Sequence, residues 1–256
     1  MKNKNVLYRR LAAGAMTLLV VLASFAFPAK AENLKQSVYA YGQSLTAEQK
    51  KETARLLGVS DKALEMQVNI DEMNTLLHDQ YDYYQVYSSV YLEPSDKDSG
   101  VKVEIVTPKT ITDITATQYA NAAITAGATN MTIRVASVKA VDGSGALAGV
   151  YKAFSGTTGT LPEENVKAAQ EELEVTSKIT SEKQGKDGYS DELLNAALAE
   201  MKAQIAKQKQ ENGGTISVGD ITTIINTVVN NYHLDGVLND ADISSLQSLM
   251  EQFSKI

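Results

Sequence analysis

The stretch SVYAYGQSLTAEQKKETARLLG, residues 37–58, decides the fold class. Ser37 to Tyr41 is a short run of β-favouring residues, and Gly42 ends it. Thr46 and Gln49 then stand three residues apart. That spacing predicts a capping box, in which the threonine accepts from the third helical amide and the glutamine reaches back. The helix runs through Ala54, Leu56 and Leu57 and stops at Gly58, a residue that accepts the left-handed turn of a helix end. A strand is thus handed directly to a capped helix.

Downstream the pattern continues. Leu64 to Ile70 reads as a second strand and Asp71 to Leu77 as a short helix. Tyr83 to Leu92 is strongly β-like. Val101, Val103 and Ile105 alternate on one face of a run ending at Thr107, and Pro94 to Gly100 supplies a turn between the two. That pair predicts a hairpin. Thr115 and Gln118 repeat the capping box before a helix bearing Tyr119, Ala122, Ala123 and Ala126, closed at Gly127. Met131 to Val138 is a further strand.

The C-terminal half turns helical. Ala146, Leu147, Val150, Tyr151 and Phe154 share one face, and Pro162 suits the first turn of a helix carrying Val166, Ala169 and Leu173. Ser190 caps a helix with Leu194, Ala197, Leu198, Met201 and Ile205 at helical spacing, ended by Asn212-Gly213-Gly214. Ile221 to Val229 and Ile243 to Phe253 mark two more. Strands followed by a run of helices predict an α+β fold, a small mixed β-sheet with helices and then a helical half. The polar, glycine-containing stretch from Lys183 to Tyr189 marks a hinge or boundary between residues 32–184, the α+β domain, and 185–256, a C-terminal helical region that is either separate or a further part of the same domain.

Residues 1–31 read as a secretory signal peptide. Lys2, Lys4, Arg9 and Arg10 precede an apolar run from Leu11 to Phe27, and Ala29 and Ala31 fit the small pockets of a signal peptidase. Removing them leaves 225 residues with 19 basic against 31 acidic groups, a formal charge of −12. So acidic a chain lacks the footprint for nucleic acid or anionic lipid. There is no cysteine, which excludes a thiol nucleophile, a disulfide framework and a zinc–thiolate site. No later apolar run is long enough to span a bilayer.

Several segments together are similar to a known family. Tyr41-Gly42-x-Ser44-Leu45-Thr46-x-Glu48-Gln49, Ser88-Ser89-Val90-Tyr91 and Thr125-Ala126-Gly127 come in order. Gly143, then Ala146-Leu147-x-Gly149-Val150-x-Lys152-Ala153-Phe154, Glu171-Glu172-Leu173 and Leu246-x-x-Leu249-Met250 complete the set. The order and spacing resemble the YpuA-like family of exported Gram-positive proteins, a domain of unknown function, over most of residues 37–256. Gly145 stands where alanine is usual. The resemblance implies an extracytoplasmic protein and transfers no catalytic residue.

Candidate chemistry is sparse. Gly143-Ser144-Gly145 follows a strand and precedes a helix, but it lacks the outer glycines of a nucleophile elbow. The same glycines at a helix N-terminus would present amides to an anion such as a wall-polymer phosphate. On a strand, Tyr83, Tyr87 and Tyr91 fall on one face and would stack the sugar rings of a cell-wall glycan, unless a helix covers that face and the phenols bond at the edge of the core. Asn231 to Asp242 counts like a calcium loop with Gly236 sixth, but His233 at position three and only two acids predict no binding; Asp240 caps the next helix instead. Glu163-Glu164 and Glu171-Glu172 read as solvated helix faces. No cofactor fingerprint and no metal-ligand spacing occur. These readings favour a non-catalytic envelope binding or interaction protein, with a hydrolase using dispersed carboxylates as the alternative.

Overall fold

The computed structural model describes residues 34–77, 81–96, 99–128, 130–157 and 163–256. The signal-peptide reading of residues 1–31, His78, Asp98 and Pro162 lie outside the described residues.

The N-terminal half is built on a mixed five-stranded sheet. Its elements are β1 (Val38–Gly42), α1 (Ala47–Leu57), β2 (Leu64–Val68), α2 (Ile70–Leu77), β3 (Ser89–Pro94), β4 (Val101–Ile105), α3 (Ala116–Thr125) and β5 (Met131–Ala136). The strand order is β2-β1-β3-β5-β4. β1 and β2 are parallel, as are β4 and β5, and β3 runs against both of its neighbours. Two strand–helix–strand units, β1-α1-β2 and β4-α3-β5, therefore flank a single reversed strand.

Both expected capping boxes are present, at Thr46/Gln49 and Thr115/Gln118, and Gly58 closes α1 in the left-handed conformation. Alternation along the strands sorts the two faces. Val38, Ala40, Val90, Leu92, Val103, Ile133 and Val135 point to the face covered by α2, α3 and α4 (Ser144–Thr157). Tyr39, Tyr91 and Ala136 point to the other, under Leu57 of α1.

The hairpin expectation is corrected. β5 lies between β3 and β4, so those two strands do not pair. The loop after Pro94 wraps Asn130 instead: Ser95 N–H donates to its carbonyl at 3.2 Å and Gly100 N–H to its side-chain oxygen at 3.1 Å. A local turn signal records that the chain reverses, not which strand it returns to. The apolar β5, with Met131, Ile133 and Val135 buried, takes the more central place.

The helical half comprises α5 (Glu163–Lys183), α6 (Asp191–Glu211), α7 (Val218–Asn231) and α8 (Asp240–Phe253). Ser190 caps α6, and the expected stripes of α6, α7 and α8 bury into a second core. α8 is capped by Asn239 rather than Asp240, in a capping box with Asp242. α5 belongs to both cores: Ala169 and Leu173 pack on the first, Val175 and Ile179 on the second. Packing changes over within this helix, ahead of the polar turn at 184–189. No helix among the described residues is long and apolar enough to cross a membrane.

Candidate functional site

β1, β2, β4 and β5 all run the same way, so their carboxyl ends share one edge of the sheet. Ligands of open α/β sheets commonly bind in a crevice at that edge, where helix N-termini offer free amides. Here several of those amides are occupied. Asn69 N–H donates to Glu72 and Ile70 N–H to the Gln43 side chain, at the start of α2. At α4, Ser144 N–H donates to Asp142 Oδ1 at 2.9 Å, its hydroxyl donates to Asp142 Oδ2 at 2.7 Å, and Ala146 N–H donates to Ser88 Oγ at 2.9 Å.

The Gly143-Ser144-Gly145 turn is therefore corrected as a candidate anion cradle. Gly143 has φ +110°, a left-handed value that side chains rarely adopt, and a Cβ there would stand 2.4 Å from the Tyr119 hydroxyl oxygen. That hydroxyl donates to the Gly143 carbonyl at 2.9 Å. Ser144 is buried and bonded to a carboxylate rather than to a histidine. The turn seats α4 on the sheet.

Residues 81–88 form a strap across this edge. Its inner side is tied down at three points. Val86 N–H donates to Ser44 Oγ at 2.9 Å, Ser44 N–H returns a bond to the Val86 carbonyl at 3.0 Å, and Ser88 Oγ takes the α4 amide. Gly42 is required beneath it, because a Cβ there would lie 2.1 Å from the Val86 carbonyl oxygen. These bonds explain why β3 starts at Ser89 and not at Tyr83: the preceding backbone bonds to a turn instead of to a ladder.

The tyrosine face read from strand periodicity is corrected accordingly. Tyr91 is wholly buried on the α1 side of the sheet, with the Arg134 guanidinium 5.7 Å from its ring centroid. Tyr83 is half-buried against the first core, with its ring centroid 5.5 Å from that of Tyr81. Tyr87 accepts a hydrogen bond from Lys139 Nζ at 3.0 Å, and that ammonium lies 4.1 Å from its ring centroid. The outward rings are Tyr81, 67% exposed, and Tyr84, 78% exposed. Strand periodicity missed both, since it placed Tyr84 on the opposite face and left Tyr81 outside the run; the density of tyrosine from 81 to 87 was the available signal. The strap thus presents two exposed rings and a cation-capped third, beside the residues, Val86 and Ser88, that fasten it.

A second polar cluster lies at the junction of the two cores. Lys202 of α6 is buried. Its ammonium donates to Glu172 Oε2 of α5 at 2.6 Å and to Thr125 Oγ1 of α3 at 2.9 Å, and Thr125 donates in turn to Glu172. Burial pushes the lysine below its usual range, and the carboxylate opposes that shift. About three turns further along α5, Lys183 pairs with Asp242 at 2.7 Å, both buried. Glu172 is therefore no solvated helix residue. The spacing of α5 did not distinguish it from Glu171, and only the partner on α6, thirty residues on, does so. Asp242, the twelfth position of the loop tested for calcium, is committed to Lys183 and to the Asn239 amide.

The family model described as "Protein of unknown function (DUF1002)" matches residues 41–256. The chain belongs to this family. It is 26% identical over 254 residues to "Uncharacterized protein YpuA" of Bacillus subtilis (strain 168), covering 97% of this chain and 81% of that protein. No solved structure matches the chain. Residues that carry the DUF1002 resemblance have structural roles here. Gly42 and Ser44 seat the strap, Ser88 caps α4, and Thr125 and Glu172 hold Lys202. The ammonium of Lys152 bonds the Gln67 carbonyl at 2.6 Å and pairs with Glu72 of α2.

Proposed function

We propose that the protein acts outside the cytoplasm as a non-catalytic, envelope-associated binding protein, and that its strap docks a cell-wall glycan. The observation that carries this reading is the pair of exposed rings, Tyr81 and Tyr84, on a segment fastened at Val86 to Ser44 and at Ser88 to α4. A soluble domain ordinarily covers or dilutes such rings. An aromatic ring stacks on the apolar face of a sugar, and a preformed surface loses little entropy when it does so. Lys139, beside Tyr87, adds a donor for hydroxyl or acidic groups on the polymer. The export signal read in residues 1–31 agrees with an extracytoplasmic place.

The non-catalytic part rests on the buried carboxylates. Among the described residues, Glu172 and Asp242 are the buried acids, and each is ion-paired to a lysine. Neither is poised as a free acid or base.

Co-sedimentation with purified wall tests the proposal. The protein should pellet with wall material and release no soluble sugar from it. Tyr81→Ala/Tyr84→Ala should stay in the supernatant while melting at the wild-type temperature. Equal pelleting of the variant, or release of reducing ends by the wild type, would contradict it.

A further inference from the structure

The sheet has two edge strands, β2 and β4. In a parallel ladder alternate residues of an edge strand turn their amide and carbonyl to the neighbour, and the residues between turn theirs outward. On β4, Val106 N–H donates to the Val135 carbonyl and the Gly100 carbonyl accepts from Met131 N–H, so the odd-numbered residues face out. Two of them, Val101 and Val103, are only 2% and 3% exposed, so that edge is covered. On β2, Leu64 N–H donates to the Ser37 carbonyl and the Val68 carbonyl accepts from Gln43 N–H, so Glu65 and Gln67 face out. Both are exposed. The β2 edge is the open one.

An open edge offers main-chain groups to any extended segment, and a second copy of the same strand is always at hand. β2 is suited to pair with itself. Two antiparallel copies centred on Met66 set Leu64 opposite Val68 and Glu65 opposite Gln67, so aliphatic meets aliphatic and no carboxylate stands directly opposite another. The contact is isologous, and in it Glu65 of one copy and Gln67 of the other exchange amide and carbonyl. Each such pair needs the Gln67 carbonyl.

That carbonyl is taken. Lys152 of α4 donates its ammonium to it at 2.6 Å. The same ammonium is paired with Glu72, which also accepts from the Asn69 amide at the start of α2. A strand arriving at β2 has to part the ammonium from both oxygens. Charged lysines are a common means by which sheet edges avoid pairing, and here the charge sits on the main chain itself.

We propose that Lys152 guards the β2 edge: its ammonium occupies the Gln67 carbonyl that a second copy of this chain would otherwise bond, and so keeps the protein from pairing edge to edge. The bond to the carbonyl is what guards. The ion pair with Glu72 is partly exposed, and such pairs add little to stability.

Sedimentation of the purified protein from micromolar to millimolar concentration tests this. The wild type should stay monomeric, and Lys152→Met should double in mass as concentration rises. Glu72→Gln, which breaks the ion pair and leaves the ammonium on the carbonyl, should stay monomeric. Lys152→Met/Gln67→Pro should be monomeric again, because proline removes the outward amide and is tolerated on an edge strand. A Lys152→Met variant that stays monomeric, a dimer that the proline does not dissolve, a Glu72→Gln dimer or a wild type that already dimerises would each overturn the proposal. Circular dichroism checks the fold. If Lys152→Met and Lys152→Leu both lose the wild-type helical signal, the ammonium is a prop for the fold rather than a guard, and the proposal fails as well.

Discussion

In the sheet half, α4 rests on β1 and β3 with almost nothing between them. A Cβ on Gly149 would stand 2.8 Å from Val90 Cγ1 and 3.0 Å from the Ala40 Cβ. In the helical half, α5 meets α6 and α8 through long charged side chains, Glu172 to Lys202 and Lys183 to Asp242. One region is held in register by missing side chains, the other by buried ion pairs. Close approach at a glycine is unforgiving of added volume, while a buried pair is unforgiving of losing either partner. The two halves should therefore break in different ways.

The largest effect is expected in the helical half. Lys202→Met leaves Glu172 buried and uncompensated, and stability should fall by about 3–5 kcal/mol in urea melts. Lys202→Met/Glu172→Met removes both charges and should recover most of that loss. If the double variant is no better than the single, the pair does not act as a unit and the contrast collapses.

Next comes the sheet half. Gly42→Ala drives a methyl into the Val86 backbone carbonyl, and a cost of about 1–3 kcal/mol is expected. Gly145→Ala is the milder partner. Its added Cβ meets Val86 Cγ1 at 2.5 Å and Ser88 Oγ at 2.9 Å, side-chain atoms rather than backbone, so the cost is a loosened Ser88 bond to the Ala146 amide and not a displaced strap backbone. An order reversed between the two would show that the strap backbone is softer than its bonds to Ser44 imply.

Alkali sharpens the comparison from both sides at once. Tyr119 in the first core and Tyr151 at the junction are raised well above the ordinary phenol range by burial, and Tyr189 beside α5 is pushed up to about 12. The unfolded chain loses these protons near pH 10 while the folded one keeps them. Stability should therefore be whole below pH 10 and fall above it, by about 1.4 kcal/mol per pH unit for each fully buried phenol. For Tyr189 the loss levels off once its folded value near 12 is passed. Phenolate absorbance should rise in two stages, exposed rings first and buried ones only with unfolding. A single smooth titration complete before unfolding would contradict the burial. The smallest effect on stability belongs to the strap: Tyr81→Ala and Tyr84→Ala should each lie within about 0.5 kcal/mol of wild type, as exposed positions usually do.

The same division governs what could be read from sequence. Caps and periodic stripes are local, so α1, α3, α6, α7 and α8 were legible from Thr46, Thr115, Ser190 and the spaced leucines and isoleucines. Strand partnership is not local. Nothing in residues 83–107 says that β5 will insert between β3 and β4, or that the chain before Ser89 bonds to Ser44, forty-two residues away. For Tyr91 the helix-covered alternative holds: its face is the one α1 covers. Glu172 was misread because charge on a helix marks solvent unless a partner lies inside, and its partner lies thirty residues along the chain, on the next helix.

The central claim is that two classes of tyrosine do different work, buried ones in packing and strap ones in recognition. Ring-labelled tyrosine NMR during titration with soluble wall-glycan fragments tests it directly. The ring signals of Tyr81, Tyr84 and Tyr87 should shift with added glycan, while those of Tyr39, Tyr91 and Tyr119 stay in place. Shifts confined to the buried set, or no shift in any ring at saturating fragment, would contradict it.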